Sequence, residues 1–172
     1  MRRRSVFTAF ATAMALALAL ASATMGAASH RTVVIHDNCD WPTFNAVLGD
    51  GACVRESGMT FQRFNELFAK GGAQSWRFSP EMVTLGDGGS VTAVNRGGEH
   101  HTFSPVEAFA GGCIPPIFTA LGLAPNPAEE CATLPATEVA PGDTRNTGAL
   151  DTGTYLFQCL IHPWQRTTVT VR

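Results

Sequence analysis

Hydrophobic and polar residues alternate with a period of two along much of the second half of the chain. Such alternation is typical of strands that bury one face in a core. The clearest alternating pairs are Trp76/Phe78, Val83/Leu85 and Val91/Ala93. The glycines of Gly86–Gly89 predict a hairpin turn between two of these strands. Thr154–Cys159 and Thr167–Val171 predict the last two strands.

The segment before Trp76 has a different pattern. Arg31–Asp37 contains a β-branched run that predicts a first strand, whereas Asn38–Gly58 is rich in Gly, Asp and Asn and predicts an irregular loop. Thr60 can then cap a short amphipathic helix that Lys70–Gly72 ends. The apolar residues on one face of that helix are Phe61, Phe64, Leu67 and Phe68.

A long connection follows the middle strands. Ser104–Pro135 is rich in Gly and Pro and shows no sustained period, which predicts a loop with one helical turn around Ile117–Leu121. Short strands separated by turn residues indicate an all-β chain. We therefore predict an antiparallel, Greek-key β-sandwich with a short N-terminal amphipathic helix and disulfide-stapled loops.

Residues 1–28 have the pattern of an export signal. Arg2–Arg4 supply a positive start, Val6–Leu20 is largely apolar, and Ala21–Ala23 are small. The apolar run is too short for a convincing membrane span, so we expect no stable membrane insertion. The arginines leave both the general secretory and the twin-arginine routes open. We expect a periplasmic or secreted protein.

Cleavage near Ala28 leaves roughly 144 residues, the size of one ordinary domain. We expect residues 29–75 to form an N-terminal extension and residues 76–172 to form the core of that domain, as a monomer. The chain has 12 basic and 14 acidic residues. Without the three signal arginines the net charge is about −5, which argues against binding to nucleic acid or to anionic membranes.

The five cysteines are an odd set for an exported chain. Four of them can form two disulfides, and proximity favours Cys39 with Cys53 and Cys113 with Cys131. Sequence alone leaves all three connectivities of these four cysteines open. Cys159 is then left over, and a leftover cysteine in an oxidising space is reactive, intermolecular or bound to something.

The segment around the leftover cysteine has metal-binding chemistry. Cys159 and His162 are separated by two residues in a predicted turn between strands. A thiolate and an imidazole at this spacing can meet at one metal ion. The segment Asn95–His101 ends a middle strand with a second imidazole, and strand pairing in a sandwich can bring it beside the same turn.

Together these segments resemble the cupredoxin family of plastocyanin-like type 1 (blue) copper proteins. The resemblance implies one copper ion held by His101, rather than His100, together with Cys159 and His162. It extends over residues 76–172. The matching stretches are FSPEMV at Phe78–Val83, the Gly-Asp turn before Val91, Asn95–His101, and GxYxFxCxxH at Gly153–His162.

The sequence departs from the family at the axial position. Plastocyanin-like proteins usually have a methionine a few residues after the second histidine, where this chain has Gln165. The resemblance implies that the Gln165 amide oxygen is the axial ligand. Two imidazoles, a thiolate and a weak fourth ligand also suit copper on chemical grounds, whereas zinc usually takes a firmer fourth ligand.

The resemblance implies a one-electron carrier that docks briefly with redox partner proteins where the His162 ring edge reaches an apolar patch. We expect no enzymatic activity, because no acid–base pair or activated nucleophile can be picked out. A copper-handling protein for storage or delivery, and a non-catalytic binding domain stabilised by metal, are the alternatives. Glu99 is a candidate for orienting an imidazole, and Trp164 for packing beside the site.

Overall fold

The computed structural model describes residues 28–70, 72–109, 111–115 and 129–172. Nearly all of the predicted export signal and the helical turn expected at 117–121 lie outside these ranges. The strands are β1 (His30–His36), β2 (Arg77–Ser79), β3 (Met82–Leu85), β4 (Ser90–Asn95), β5 (His101–Thr102), β6 (Ser104–Val106), β7 (Glu138–Val139), β8 (Thr144–Asn146), β9 (Gly153–Gln158) and β10 (Arg166–Val171). The helices are α1 (Trp41–Leu48), α2 (Phe61–Phe68), a 3-10 helix (Glu129–Thr133) and α3 (Leu134–Thr137).

In the described ranges, the strands form two mixed sheets of four strands and a separate two-stranded ladder. The first sheet has the order β2-β1-β4-β8 and the second has the order β3-β10-β9-β6, while β5 pairs with β7. The described chain is therefore rich in sheet and has few helices, as the alternation predicted.

Two of these strand pairs are parallel, β1 with β4 and β10 with β3. The sequence predicted antiparallel pairing, so that part of the prediction was wrong. In both pairs the connecting chain passes through other strands before it returns, and such long connections permit parallel pairing. Alternation within a strand reports which face is buried, and it carries no information about strand direction.

The turn Gly86–Gly89 is not a hairpin turn. It joins β3 in the second sheet to β4 in the first sheet, so the predicted hairpin was wrong. The backbone is crowded here: a Cβ atom on Gly89 would lie 2.7 Å from the carbonyl oxygens of both Gly86 and Ser29. Glycine is therefore needed for the crossing between sheets, a use that the sequence does not distinguish from a tight hairpin.

The main core fills the space between buried strand faces, and it extends to Cys159. β4 and β10 each alternate buried and half-buried residues. The rings of Phe103 and Phe157 stack with centroids 4.4 Å apart, two residues from His101 and Cys159 respectively. Burying a phenylalanine stabilises a fold by about 1.5–3 kcal/mol, so this pair fixes the ends of the two chain segments that carry His101 and Cys159.

The N-terminal segment forms a second apolar cluster beside the main core. Helix α2 was predicted correctly, and the Thr60 side chain caps it by accepting from the Arg63 backbone N–H at 3.3 Å. Helix α1 was missed, because its eight residues lie among the Gly, Asp and Asn residues of a predicted loop and bury only Phe44. Pro42 in its first turn is a helix-start signal. Buried members of the cluster are Cys39, Phe44, Cys53, Ala73 and Trp76.

Two disulfides link Cys39 to Cys53 and Cys113 to Cys131, the connectivity that proximity favoured. Cys159 is unpaired and fully buried. None of the helices in the described part of the chain has the length and apolar character that crossing a membrane would require.

Candidate metal centre

Three side chains from two separate parts of the chain meet at one place. His101 lies in β5, Cys159 directly follows β9, and His162 lies in the loop between β9 and β10. The Cys159 Sγ atom is 3.8 Å from Nδ1 of His101 and 3.8 Å from Nδ1 of His162, and the two nitrogens are 3.2 Å apart. His101 and Cys159 are fully buried and His162 is 5% exposed. The structure therefore brings together the three ligands that the sequence predicted.

The loop that carries Cys159 and His162 is closed by its own backbone. The Cys159 N–H donates to the Gln165 carbonyl at 3.0 Å, and the Gln165 N–H donates to the His162 carbonyl at 2.9 Å. Beyond the loop, β9 and β10 pair in antiparallel fashion, beginning with Gln158 opposite Arg166. Because both ends of this short loop are bonded to each other, the thiol and the imidazole have little freedom to separate.

The sulfur atom accepts hydrogen bonds from the backbone as well as from the imidazoles. The N–H groups of Thr102 and His162 each donate to the Cys159 Sγ at 3.4 Å. Burial alone raises the pKa of a thiol. Hydrogen bonds and positive charge from His101 and His162 reverse this effect and hold the Cys159 pKa well below its usual value. The site thus favours the thiolate, the form that binds metal.

Asp37 is the functional residue that the sequence analysis missed. Its Oδ2 atom lies 2.9 Å from Nε2 of His101, and both side chains are fully buried. Burial would raise the Asp37 pKa, but the contact with His101 and backbone N–H donors lower it to about 2. Burial would likewise lower the His101 pKa, which Asp37 and Cys159 instead raise to about 10. Asp37 is therefore ionised and turns Nδ1 of His101 towards the thiol.

The strand pattern contained a signal for Asp37. Val33 and Ile35 are the fully buried residues of β1, and Asp37 is the next residue on the same face by the period of two. A carboxylate that continues a buried face needs strong hydrogen-bond partners. Backbone donors to it are the N–H groups of Cys39, Gly98 and Glu99, at 3.3, 2.9 and 3.0 Å.

Glu99 lies beside the His162 imidazole, at more than hydrogen-bond distance. Its carboxylate accepts a hydrogen bond from the Trp76 indole N–H, and Oε2 is 3.9 Å from Nε2 of His162. Burial raises the pKa of Glu99. The segment that precedes it is fixed by Asn95, whose amide group donates to the carbonyls of Glu99 and Val139, both at 2.8 Å. Glu99 therefore approaches His162, while Asp37 orients His101.

Gln165 is fully buried, and one atom of its side chain has no hydrogen bond among the described residues. Its amide nitrogen donates to the His36 carbonyl at 2.9 Å. Its Oε1 atom has no hydrogen-bond partner among the described residues. This orientation of the amide leaves a buried oxygen that can act as a ligand.

His162 has a different environment from the one expected, whereas His100 does not. The His162 side chain is 7% exposed and its ring meets that of Trp164 edge-on at 5.4 Å, so the expected exposed ring edge is wrong. Trp164 in turn packs against the N-terminal cluster, which includes Trp76. His100 is exposed and pairs with Glu138 away from the triangle of donors.

The donor atoms fit a single metal ion. A trigonal centre with bonds of about 2.0 Å to nitrogen and about 2.3 Å to sulfur has edges of about 3.5 Å between nitrogens and about 3.7 Å between nitrogen and sulfur. The observed edges are 3.2 and 3.8 Å. Asp37, Cys39 and Glu99 also lie within 4.8 Å of one another, but Cys39 is committed to its disulfide.

Comparisons with known proteins gave structural neighbours only. No family model and no curated protein match the chain. A purple cupredoxin from Nitrosopumilus maritimus is 15% identical, with a TM-score of 0.42 over 83% of this chain and 99% of that chain. The Cu(I) form of a methionine-to-alanine variant of amicyanin is 21% identical, with a TM-score of 0.37 over 56% of this chain and 73% of that chain. Similarities as low as these carry no functional argument. The argument for function therefore rests on the donor atoms themselves.

Proposed function

We propose that this chain binds one copper ion through His101, Cys159 and His162, with the Gln165 amide oxygen as a weak axial ligand. The observation that supports it best is the buried triangle formed by one sulfur and two Nδ1 atoms. This donor set, with a weak fourth ligand, is the one used by blue-copper electron-transfer sites. The proposed function is transfer of single electrons between partner proteins in the periplasm or outside the cell.

Copper in such a site supplies a one-electron couple between Cu(II) and Cu(I). The protein's contribution is to keep the donors in place in both states. Asp37 holds the His101 ring, and the bonds between Cys159 and Gln165 close the loop that carries His162. Two N–H groups on the sulfur withdraw charge from the thiolate, which is one way in which a protein tunes a metal potential.

The wider proposal is a cupredoxin-like protein with a Greek-key sandwich. Residues 76–172 would form its core and residues 29–75 an extension of the same domain. Two disulfides support an oxidising compartment. The burial of the donors favours outer-sphere electron transfer over an enzyme, because a substrate could not reach the metal. We propose transient docking with redox partner proteins, no nucleic-acid or membrane partner, and a monomer.

Copper loading tests the proposal. The purified chain, without residues 1–28, is titrated with copper(II) and followed by visible absorption, with Cys159→Ser as the control. We expect an intense thiolate-to-copper band that saturates at one equivalent, disappears on one-electron reduction and returns on reoxidation. The serine variant should lack it.

A colourless complex, or one whose copper exchanges readily with a weak chelator, would contradict electron transfer. That outcome would favour copper storage or delivery instead. Tight binding of zinc with no stable copper(II) form would favour a metal that only stabilises the fold.

A further inference from the structure

The long connection that follows β6 returns to residues 159–165, the loop between β9 and β10, which we call the ligand loop. Cys113 donates its backbone N–H to the carbonyl of Leu160 at 2.6 Å. Leu160 is fully buried, and its own N–H donates to the Thr102 hydroxyl at 2.7 Å. Because Leu160 directly follows Cys159, the hydrogen bond from Cys113 helps to fix the part of the loop that carries the thiol.

Gly112 brings the backbone of the connection against the same loop. Its φ of +82° lies in the left-handed region that favours glycine. A Cβ atom there would lie 2.7 Å from the Leu160 carbonyl oxygen and 3.3 Å from the Pro163 Cβ atom. Pro163 directly follows His162. Residues 111–113, which we call the covering segment, therefore pack closely on the ligand loop.

The Cys113–Cys131 disulfide holds the covering segment in this place. It joins the segment to the 3-10 helix, and the Cys131 sulfur lies 3.5 Å from the Gly112 carbonyl oxygen. Both cysteines pack against the core cluster formed by Val106 and Leu160. Because reduction would leave the segment held by non-covalent contacts, it would lower the free energy needed for the segment to open locally.

The two disulfides of the described chain differ in their accessibility to a reductant. Cys39 and Cys53 are 0% and 1% exposed, whereas Cys113 and Cys131 are half-buried. Thiol–disulfide exchange requires the attacking thiolate to reach a sulfur atom, so an accessible disulfide reacts before a buried one. The disulfide that holds the covering segment is therefore the more reactive of the two.

We propose that the Cys113–Cys131 disulfide is a site of thiol–disulfide exchange, and that its reduction by a dithiol protein frees the ligand loop to release copper. This inference rests on the proposed function. A thiolate of the dithiol attacks one sulfur to form a mixed disulfide, and the second thiol of the dithiol then resolves that bond. The dithiol becomes a disulfide, Cys113 and Cys131 together gain two electrons and two protons, and the copper keeps its oxidation state.

Copper transfer from the Cu(I)-loaded protein to an excess of a Cu(I) chelator tests the effect on the metal. Cys113→Ser/Cys131→Ser represents the reduced state without an added thiol that would itself bind copper. We expect transfer about tenfold faster than in the wild type, because the ligand loop opens more often. The absorption band of the copper(II) form should match that of the wild type, since no ligand is changed.

Gly112→Ala tests the covering segment while the disulfide stays intact. The added methyl group would collide with the Leu160 carbonyl, and we expect transfer to be faster by a similar factor. Gly148→Ala is the matched control, because Gly148 has a φ of +74° and a Cβ atom there meets no described atom within 4 Å. It introduces the same backbone strain away from the ligand loop and should transfer copper at the wild-type rate. This pair provides the test if the double serine variant does not fold.

The reactivity of the disulfides is measured on the copper-free protein. The protein is treated with increasing concentrations of dithiothreitol, free thiols are alkylated, and mass spectrometry identifies the modified cysteines. We expect Cys113 and Cys131 to be alkylated at lower dithiothreitol concentrations than Cys39 and Cys53. Simultaneous reduction of both disulfides, or earlier reduction of Cys39–Cys53, would overturn the proposed exchange site.

The transfer rates can overturn the inference independently. A folded Cys113→Ser/Cys131→Ser protein with the wild-type rate would do so, and so would equal rates for Gly112→Ala and Gly148→Ala. A wild type without the copper band would instead remove the proposed function on which the inference rests.

Discussion

We propose that Gln165 and Asp37 act on the candidate centre from positions outside the triangle of sulfur and nitrogen atoms. Gln165 directs its amide nitrogen to a backbone carbonyl, which leaves a buried oxygen without a hydrogen bond from the described residues. Asp37 holds the far nitrogen of His101 at 2.9 Å. Gln165 is expected to tune the reduction potential of the metal, and Asp37 is expected to hold the His101 ligand in place. Substitutions of the two residues should therefore have different consequences.

Gln165→Met is expected to raise the reduction potential of the copper-loaded protein. An amide oxygen is a harder ligand than a thioether and favours copper(II). A shift of about 60 mV would correspond to a tenfold change in the equilibrium of a one-electron couple. Redox titration of both proteins measures it, with the exposed Gln62→Met as the control. A potential equal to or below that of the wild type would remove Gln165 from the axial position.

Asp37→Asn is expected to destabilise the copper-free protein by about 3 kcal/mol, since each buried donor left without an acceptor costs about 1–3 kcal/mol. Both carboxylate oxygens accept hydrogen bonds, Oδ1 from Cys39 and Gly98 and Oδ2 from Glu99 and His101. In the Asp37→Asn variant one of these oxygens is replaced by an amide NH₂ group, which cannot accept a hydrogen bond. Whichever way the amide is turned, two donors therefore lose their acceptor.

Urea unfolding measures this difference. Asp87→Asn serves as the matched control, because Asp87 is exposed and accepts only from Thr152 among the hydrogen bonds described. An equal loss of stability in the two variants would show that the buried carboxylate has no special role.

At the scale of the elements, the segment between β4 and β5 positions the first histidine. A Cβ atom on Gly97 would collide with the Asp37 carboxylate. We therefore expect Gly97→Ala to displace Asp37, to weaken copper binding at least about tenfold, and to cost about 1–3 kcal/mol of stability through overpacking.

Competition with a copper chelator and urea unfolding check the Gly97→Ala prediction. Gly153→Ala is the control, because a Cβ atom there lies 3.6 Å from the nearest ring atom, an ordinary contact. If Gly97→Ala bound copper as the wild type does, this segment would tolerate a side chain and the proposed close packing would be wrong.

The sequence predicted most strands and α2, since alternation and capping are local properties. Its predictions of antiparallel pairing throughout and of a hairpin at Gly86–Gly89 were wrong. Parallel pairing of β1 with β4 and of β3 with β10 depends on contacts between residues far apart in the chain. Helix α1 was missed although it is as long as α2, because its apolar residues are not confined to one face as those of α2 are.

The candidate site was also predicted only where its residues are close together in the sequence. Cys159 and His162 lie close together in one loop, so their sequence spacing was informative. Asp37 directly follows β1, 64 residues before His101, and was overlooked. The burial of His162 depends on how the N-terminal cluster packs over it, which no local pattern reveals.

For the whole molecule, copper binding should increase stability. A ligand that binds only the folded state stabilises it by about 2.7 kcal/mol at one hundred times its dissociation constant, or about 5–10 °C for a domain of this size. Thermal unfolding with and without copper measures the shift, and a strong chelator should reverse it. In Cys159→Ser the shift should be much smaller; a full shift there would mean that copper binds elsewhere.

The two parallel strand pairs also affect the order in which the molecule can be built during translation. β10 lies inside its sheet between β3 and β9, so the second sheet is incomplete until residues 166–171 have been synthesised. Chains dominated by such long-range pairings fold slowly. A nascent chain that ends before Arg166 therefore has no finished second sheet, and we expect metal capture to follow the synthesis of β10.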